Sequence, residues 1–304
     1  AWAITGFTHP AGITFSPKGN SLAFLAWVIW PRESVSYLVI ADPAAGQQRH
    51  ARLREKVTFG PGLFWSDDGQ LLAVPGMVGL HRDKDWYEQF VWVGDAQARE
   101  VGWYALPCSR AEQSLGLGWL PNTHTLVGLN ATYAARSAPR PAGAYLWTLD
   151  IEGKQEFQFR PLQGPVAGVP LSFHNCRRNN GLLFASSATL QKPVTQALLV
   201  IDLAKASASF FRPLSLEGRA WLPSPGGDRV AVLELGEQPR LWVYERNAPG
   251  RPYPLPPQTG PLAPAIAWGP GPQEITATSS DRKQPIEIIN LRTGAGQPLM
   301  GRRH

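Results

Sequence analysis

The sequence predicts an all-β fold, a single six-bladed β-propeller of four-stranded antiparallel blades. Three observations predict it. A strand–turn–strand pattern, ITFSPKGNSLAFL at Ile13–Leu25, recurs as LFWSDDGQLLAV, LGWLPNTHTLVGL, LSFHNCRRNNGLLFA, RAWLPSPGGDRVAVL and IAWGPGPQEITAT. The aromatic before each turn (Phe15, Trp65, Trp119, Phe173, Trp221, Trp268) returns about every fifty residues, a spacing that marks propellers and solenoids. A second run of strand length, rich in β-branched and aromatic residues, follows in every repeat: YLVIAD, FVWVGD, AYLWTLD, LLVIDL, LWVYER and IEIINL.

Each repeat divides into four segments. In the first they are Gly12–Phe15, Ser21–Leu25, Tyr37–Ala41 and approximately Gln48–Arg54. The third segments end on Asp42, Asp95, Asp150, Asp202, Glu245 and Asn290, side chains expected to cap the following turn by accepting backbone N–H bonds. The fourth segments (HARLREK, REVGWY, EFQFRP) are more polar, as an outer edge strand should be. A four-stranded blade cannot bury its faces alone, so six must stack around an axis. The expected blades are residues 12–57, 58–108, 109–162, 163–213, 214–256 and 257–304 of one domain, with residues 1–7 closing the ring.

Composition supports this and sets limits. The 30 Gly and 29 Pro fall mainly between short apolar runs, where turns need them, and 12 Trp with 12 Phe can fill the space between sheets. The net charge of +6 suits an acidic partner. Basic residues are scattered, and the densest run, His50–Lys56, reads as the solvated face of an outer strand, with no nucleic-acid motif beside it. No apolar run approaches the roughly twenty residues that a membrane-spanning helix needs. Cys108 and Cys176 lie in different repeats and read as two separate thiols, although pairing stays open. A chain starting at Ala1 without methionine fits a mature exported protein and fits a trimmed one equally.

The turn Phe15-Ser16-Pro17-Lys18-Gly19, its counterpart Trp65-Ser66-Asp67-Asp68-Gly69, the following LAF or LLAV strand and the third strand ending in Asp carry a resemblance. The repeat resembles the WD40-like, PD40 type of TolB-like propellers. It is specific in the first two repeats; repeat four has His174-Asn175-Cys176 and repeat six Gly-Pro-Gly-Pro in its place. The resemblance implies a periplasmic or otherwise extracytoplasmic interaction module, or a gating propeller of the prolyl oligopeptidase kind. The extra domains of both groups are absent from this sequence.

No nucleophile elbow, zinc-protease motif, phosphate loop or dinucleotide fingerprint occurs, so no catalytic residue, cofactor or metal ligand is assigned. The six histidines (His9, His50, His81, His124, His174, His304) lack metal-ligand spacing, and Asp67-Asp68 lacks a calcium-loop context. Asn130-Ala131-Thr132 is a glycosylation sequon read as a chance occurrence. Loop length is the informative feature. Connections between second and third strands read as long in repeats one to four (Ala26–Ser36, Pro75–Gln89, Asn130–Ala144, Ser186–Ala197) and short in five and six (Glu234–Arg240, Ser279–Pro285). The long ones carry Trp30, Met77, His81, Trp86, Tyr87, Tyr133, Arg136 and Arg140, residue types enriched at protein contacts. The expected function is therefore a non-catalytic protein-binding or scaffold module of the cell envelope or a larger assembly, gripping an acidic protein surface with a crescent of these loops. The alternative is a polysaccharide-active lyase or hydrolase with its site in a central channel.

Overall fold

The computed structural model describes residues 9–30, 33–42, 44–53, 57–59, 62–78, 88–107, 112–132, 138, 140–167, 171–179, 181–189, 196–212, 220–224, 226–234, 240–246, 248–253, 255, 266–268, 273–277 and 287–298. Among them there is no helix, and every pairing between strands is antiparallel. The chain forms two compact units, Ala1–Pro170 and Leu171–His304.

The first unit holds three sheets. The first is β1 (His9–Phe15), β2 (Leu22–Trp30), β3 (Glu33–Asp42) and β4 (Gln47–Arg52), paired in that order. In the second, the first strand is broken into β5 (Val57–Phe59) and β6 (Phe64–Trp65), both paired to β7 (Leu71–Val78), followed by β8 (Glu88–Asp95) and β9 (Glu100–Ala105). The third runs β10 (Glu112–Trp119), β11 (Thr125–Thr132), β12 (Gly143–Asp150), β13 (Phe157–Pro161). The break between β5 and β6 has a visible purpose. Pro75 sits within β7, opposite that gap, where no neighbouring strand asks for the N–H that proline lacks. Gly76 beside it is needed for close approach, because an added Cβ would lie 2.8 Å from Val57 Cγ1.

The second unit repeats the plan. Its sheets are β14 (Leu171–Asn179), β15 (Leu182–Thr189), β16 (Gln196–Asp202), β17 (Ser207–Arg212); β18 (Ala220–Pro223), β19 (Arg229–Glu234), β20 (Arg240–Glu245), β21 (Arg251–Tyr253); and β22 (Ile266–Trp268), β23 (Glu274–Ala277), β24 (Glu287–Asn290), β25 (Gly296–Pro298). Period-two alternation gives each sheet two apolar faces, and neighbouring sheets pack face to face within each unit. Leu25, Leu38 and Ile40 of the first sheet meet Trp65, Leu72 and Trp92 of the second. Ala73, Val91 and Val93 on the opposite face meet Trp119, Leu126 and Trp147 of the third. In the second unit, Phe184, Leu198 and Phe211 meet Trp221 and Val232, while Leu241 and Val243 meet Ile275 and Ile289.

The repeated turn is a hydrogen-bond device. Ser66, fully buried, has its N–H bonded to Leu71 O, accepts Gly69 N–H at its carbonyl (both 2.9 Å), and accepts Leu71 N–H on Oγ at 2.9 Å. Its hydroxyl donates to Asp68 Oδ1 at 2.6 Å. Ser16 and Ser224 make the same set, with Asn20 and Asp228 as side-chain partners. Gly19, Gly69 and Gly227 close these turns at φ of 70°, 71° and 74°, a region that glycine enters without strain. The fifth repeat thus keeps the turn that the resemblance found specific in only the first two. The third-strand acids cap as expected at Asp42, Asp95, Asp150, Asp202 and Asn290, each accepting from turn N–H groups. Glu245 does something else.

Candidate functional site

Trp30 and Met77 lie on strands. β2 runs on through Trp30, whose backbone pairs with Glu33, so the expected loop Ala26–Ser36 is mostly hairpin. The cause is β-branched and aromatic content: Trp27-Val28-Ile29-Trp30 faces Glu33–Ser36 as a ladder. Met77 pairs with Thr58 and Gln89 within the second sheet and is 37% exposed, one of few large apolar side chains open to solvent among the described residues. Arg140 precedes β12 and places its guanidinium carbon 3.3 Å from the Phe159 ring centroid, a cation–π contact within its own sheet. The side chain of Trp30, and all of His81, Trp86, Tyr87, Tyr133 and Arg136, fall outside the described residues, as do Trp2–Phe7 and Cys108. Cys176 lies on β14, its backbone paired with Ala185. Asn130 is fully buried in β11 and donates its amide to Pro107 O at 2.9 Å, which leaves the sequon no accessible acceptor.

Two clefts between neighbouring sheets gather polar side chains at the strand ends away from the second-to-third-strand hairpins. The first lies between the second and third sheets, a space of ≈ 430 Å³ lined by Asp67, Asp68, Asn122, Thr123, His124 and Glu152. His124, in the turn after Trp119, sets Nε2 2.9 Å from Asp68 Oδ2 and Nδ1 2.5 Å from Glu152 Oε1. Asp67 accepts Asn122 N–H at 3.1 Å, and the Trp119 indole donates to Phe64 O at 2.7 Å, so this junction is tied at several points. Burial opposes the charge on His124, but its hydrogen bonds to Glu152 and Asp68 outweigh it and raise the imidazole above its ordinary 6.5. Burial likewise opposes Asp68, yet bonds from Ser66, Gln70 N–H and His124 hold it at about 2. The sequence showed His124 as one of six scattered histidines, because its partners come from turns distant in the chain.

The second cleft lies between the fifth and sixth sheets, ≈ 450 Å³, lined by arginines instead. Arg229 donates from Nη1 to Gln273 Oε1 at 2.8 Å, with Nε 3.5 Å from Glu245 Oε1 and 3.6 Å from Asp228 Oδ2. Among the described residues, no group of three or more His, Cys, Asp or Glu side chains is placed to hold a metal ion. No described helix is long and apolar enough to cross a membrane.

No protein-family model matches the chain, and no curated protein sequence matches it. Solved structures do. The chain is similar to an oligogalacturonate lyase in complex with manganese, at 11% identity and TM-score 0.59 over 91% of this chain and 75% of that one. It is similar to the β-propeller domain of the Trilobed protease from Pyrococcus furiosus, at 14% and 0.54 over 98% and 84%. It is also similar to prolyl oligopeptidase B from Galerina marginata, at 14% and 0.59 over 98% of this chain and 43% of that one. At such identities the likeness establishes the fold, a β-propeller. The neighbours are mixed in activity.

Proposed function

We propose that the chain is a non-catalytic protein-binding or scaffold module, its six sheets being the blades of one propeller domain. It contacts its partner through the second-to-third-strand hairpins of the first four sheets. One observation carries this reading. Among the described residues, the paired second and third strands are 9 and 10 residues long in the first sheet, 8 and 8 in the next two and 8 and 7 in the fourth, against 6 and 6 in the fifth and 4 and 4 in the sixth. Length beyond what a sheet needs to pack is where binding surface is found. Exposed Met77 on one such arm and Arg140 at the loop end of another supply an adaptable apolar contact and a cation, and the net charge of +6 suits an acidic partner surface. An extracytoplasmic address and membership of a larger assembly rest on the repeat resemblance alone. The enzymatic alternative, action on a polysaccharide, rests on the fold likeness to oligogalacturonate lyase, without a residue set to support it.

The test is co-purification from the native source with quantitative identification of bound proteins. A partner recovered with the intact chain is expected to be lost when the Leu71–Asp95 hairpin is shortened to the length of Arg229–Glu245. It should weaken at least about tenfold for Trp86→Ala, the cost of removing an aromatic anchor. Equal recovery with the shortened hairpin would contradict the reading.

A further inference from the structure

We propose that the cleft between the fifth and sixth sheets is a binding site for a small organic anion, one carrying a phosphate or carboxylate group on a short apolar body. It is independent of the hairpin surface proposed above and lies within the second unit.

One third-strand terminus, Glu245, departs from the repeat. Elsewhere an Asp or Asn at this position turns back on its own turn and is consumed there. Glu245 is one methylene longer and sets its carboxylate 3.5 Å from Arg229 Nε. Arg229 is held from three sides, by Gln273, Glu245 and Asp228, and is only 16% exposed at the side chain. That fixes a guanidinium as the back wall, with its rotamer freedom already spent. Arg251 on β21 and Arg292 in the last turn of the sixth sheet line the same space. Among the described residues neither has a carboxylate within ion-pair distance. Among the described residues, three arginines therefore line the space with Glu245 as the single lining carboxylate, a local excess of positive charge in a concave site.

The rest of the lining sets the ligand's shape. Val243, Pro249, Tyr253 and Leu291 give an apolar floor. Tyr253 is fixed across the junction by its hydroxyl, which donates to Leu291 O at 2.9 Å. A volume of ≈ 450 Å³ matches a small molecule, within the few hundred Å³ typical of such sites. Guanidinium forks recognise planar or tetrahedral oxyanions by paired hydrogen bonds, while an aromatic or short aliphatic body would cover the floor. Glu245 then acts as an internal competitor that an incoming oxyanion displaces from Arg229.

This makes two opposite predictions at neighbouring residues. Calorimetric titration of the intact chain at low ionic strength, with phenyl phosphate and with phthalate as probes and benzyl alcohol as the uncharged control, should show one saturable site for at least one anion. Arg251→Gln and Arg292→Gln should each weaken it about tenfold, the loss of one charge-assisted contact. Glu245→Gln should tighten it a few-fold. Binding of phenyl phosphate alone assigns the ligand to phosphate esters, and of phthalate alone to carboxylic acids. Either result supports the site. Absence of saturable binding of both probes, binding equally strong for the control, insensitivity to both arginine replacements, or weaker binding in Glu245→Gln would overturn it. Unchanged thermal melting of the Gln variants shows that the fold is intact in each comparison.

Discussion

The two inter-sheet clefts occupy the same place in the repeat and have opposite characters. Between the second and third sheets, carboxylates from two turns close on His124 in a third, so the charges satisfy one another. Between the fifth and sixth, one guanidinium is held by Gln273 and two carboxylates, and two further arginines of the lining have no carboxylate within ion-pair distance among the described residues. A repeat fixes backbone geometry at such positions, through the buried serine turn and the capped third strand, and leaves the tip residues free to vary. What differs is whether the tips are spent on each other. In the first cleft they are, and its contribution is to stability. In the second they are in part unspent, and that asymmetry points outward.

The largest expected effect breaks the junctions beneath the clefts. Trp119 is fully buried and bridges the second and third sheets, so Trp119→Ala should cost about 3–5 kcal/mol by cavity formation and loss of its bond to Phe64. Trp268 makes the matching bond to Leu222 O at 3.1 Å but is only half-buried, and Trp268→Ala should cost clearly less. Urea unfolding of both variants measures the difference. Equal costs would mean that the two junctions do not differ in burial as described.

Next comes the turn that both regions share. Ser66→Ala and Ser224→Ala each leave a backbone N–H without its side-chain acceptor, at about 1–2 kcal/mol. Similar losses in the two, read from denaturation midpoints, would show that the worn fifth repeat retains the device in full.

A smaller effect separates the clefts by pH. His124 is raised in the folded state, so its contribution is complete below its unfolded value of 6.5 and is lost as pH rises through the folded value. Asp68 is lowered to about 2, so its contribution is present above its unfolded value of 3.8 and is lost as pH falls toward about 2. The junction is fully engaged between those two unfolded values. His124→Gln should flatten the decline of stability as pH rises above 6.5, by up to about 1 kcal/mol, since exposed Asp68 and Glu152 are screened by water. A pH series of melting curves for wild type and variant reads this directly, and identical slopes would remove the imidazolium from the account. The least change is expected for Glu245→Gln, within about half a kcal/mol of wild type, because its partner Arg229 keeps Gln273 and Asp228.

Much of the fold was legible because the repeat writes its own hydrogen bonds. The Ser-x-x-Gly spacing, the Asp ending the third strand and the polar fourth strand each correspond to observed contacts or to exposure along β4. Loop boundaries were less legible. The expected loop Pro75–Gln89 starts too early, because β7 continues through Pro75 and Gly76 to Val78, where the facing strand is interrupted opposite the proline. Phe15 shares the marker position with buried Trp119 but is 61% exposed, so the marker aromatic fixes a place in the strand without fixing burial. The clefts were not legible at all. Their lining comes from turns distant in sequence, and although Glu245 differs from Asp202 by one methylene, the sequence alone does not show that it faces Arg229 while Asp202 caps its own turn.

The most direct measurement of the difference between the clefts is an NMR titration of the isotope-labelled chain with phenyl phosphate, following both regions in one sample. The account predicts saturable shifts at Tyr253, Gln273, Arg251 and Arg292, with His124 and Glu152 unmoved. Shifts centred on His124, or spread evenly over the basic surface without saturation, would contradict it.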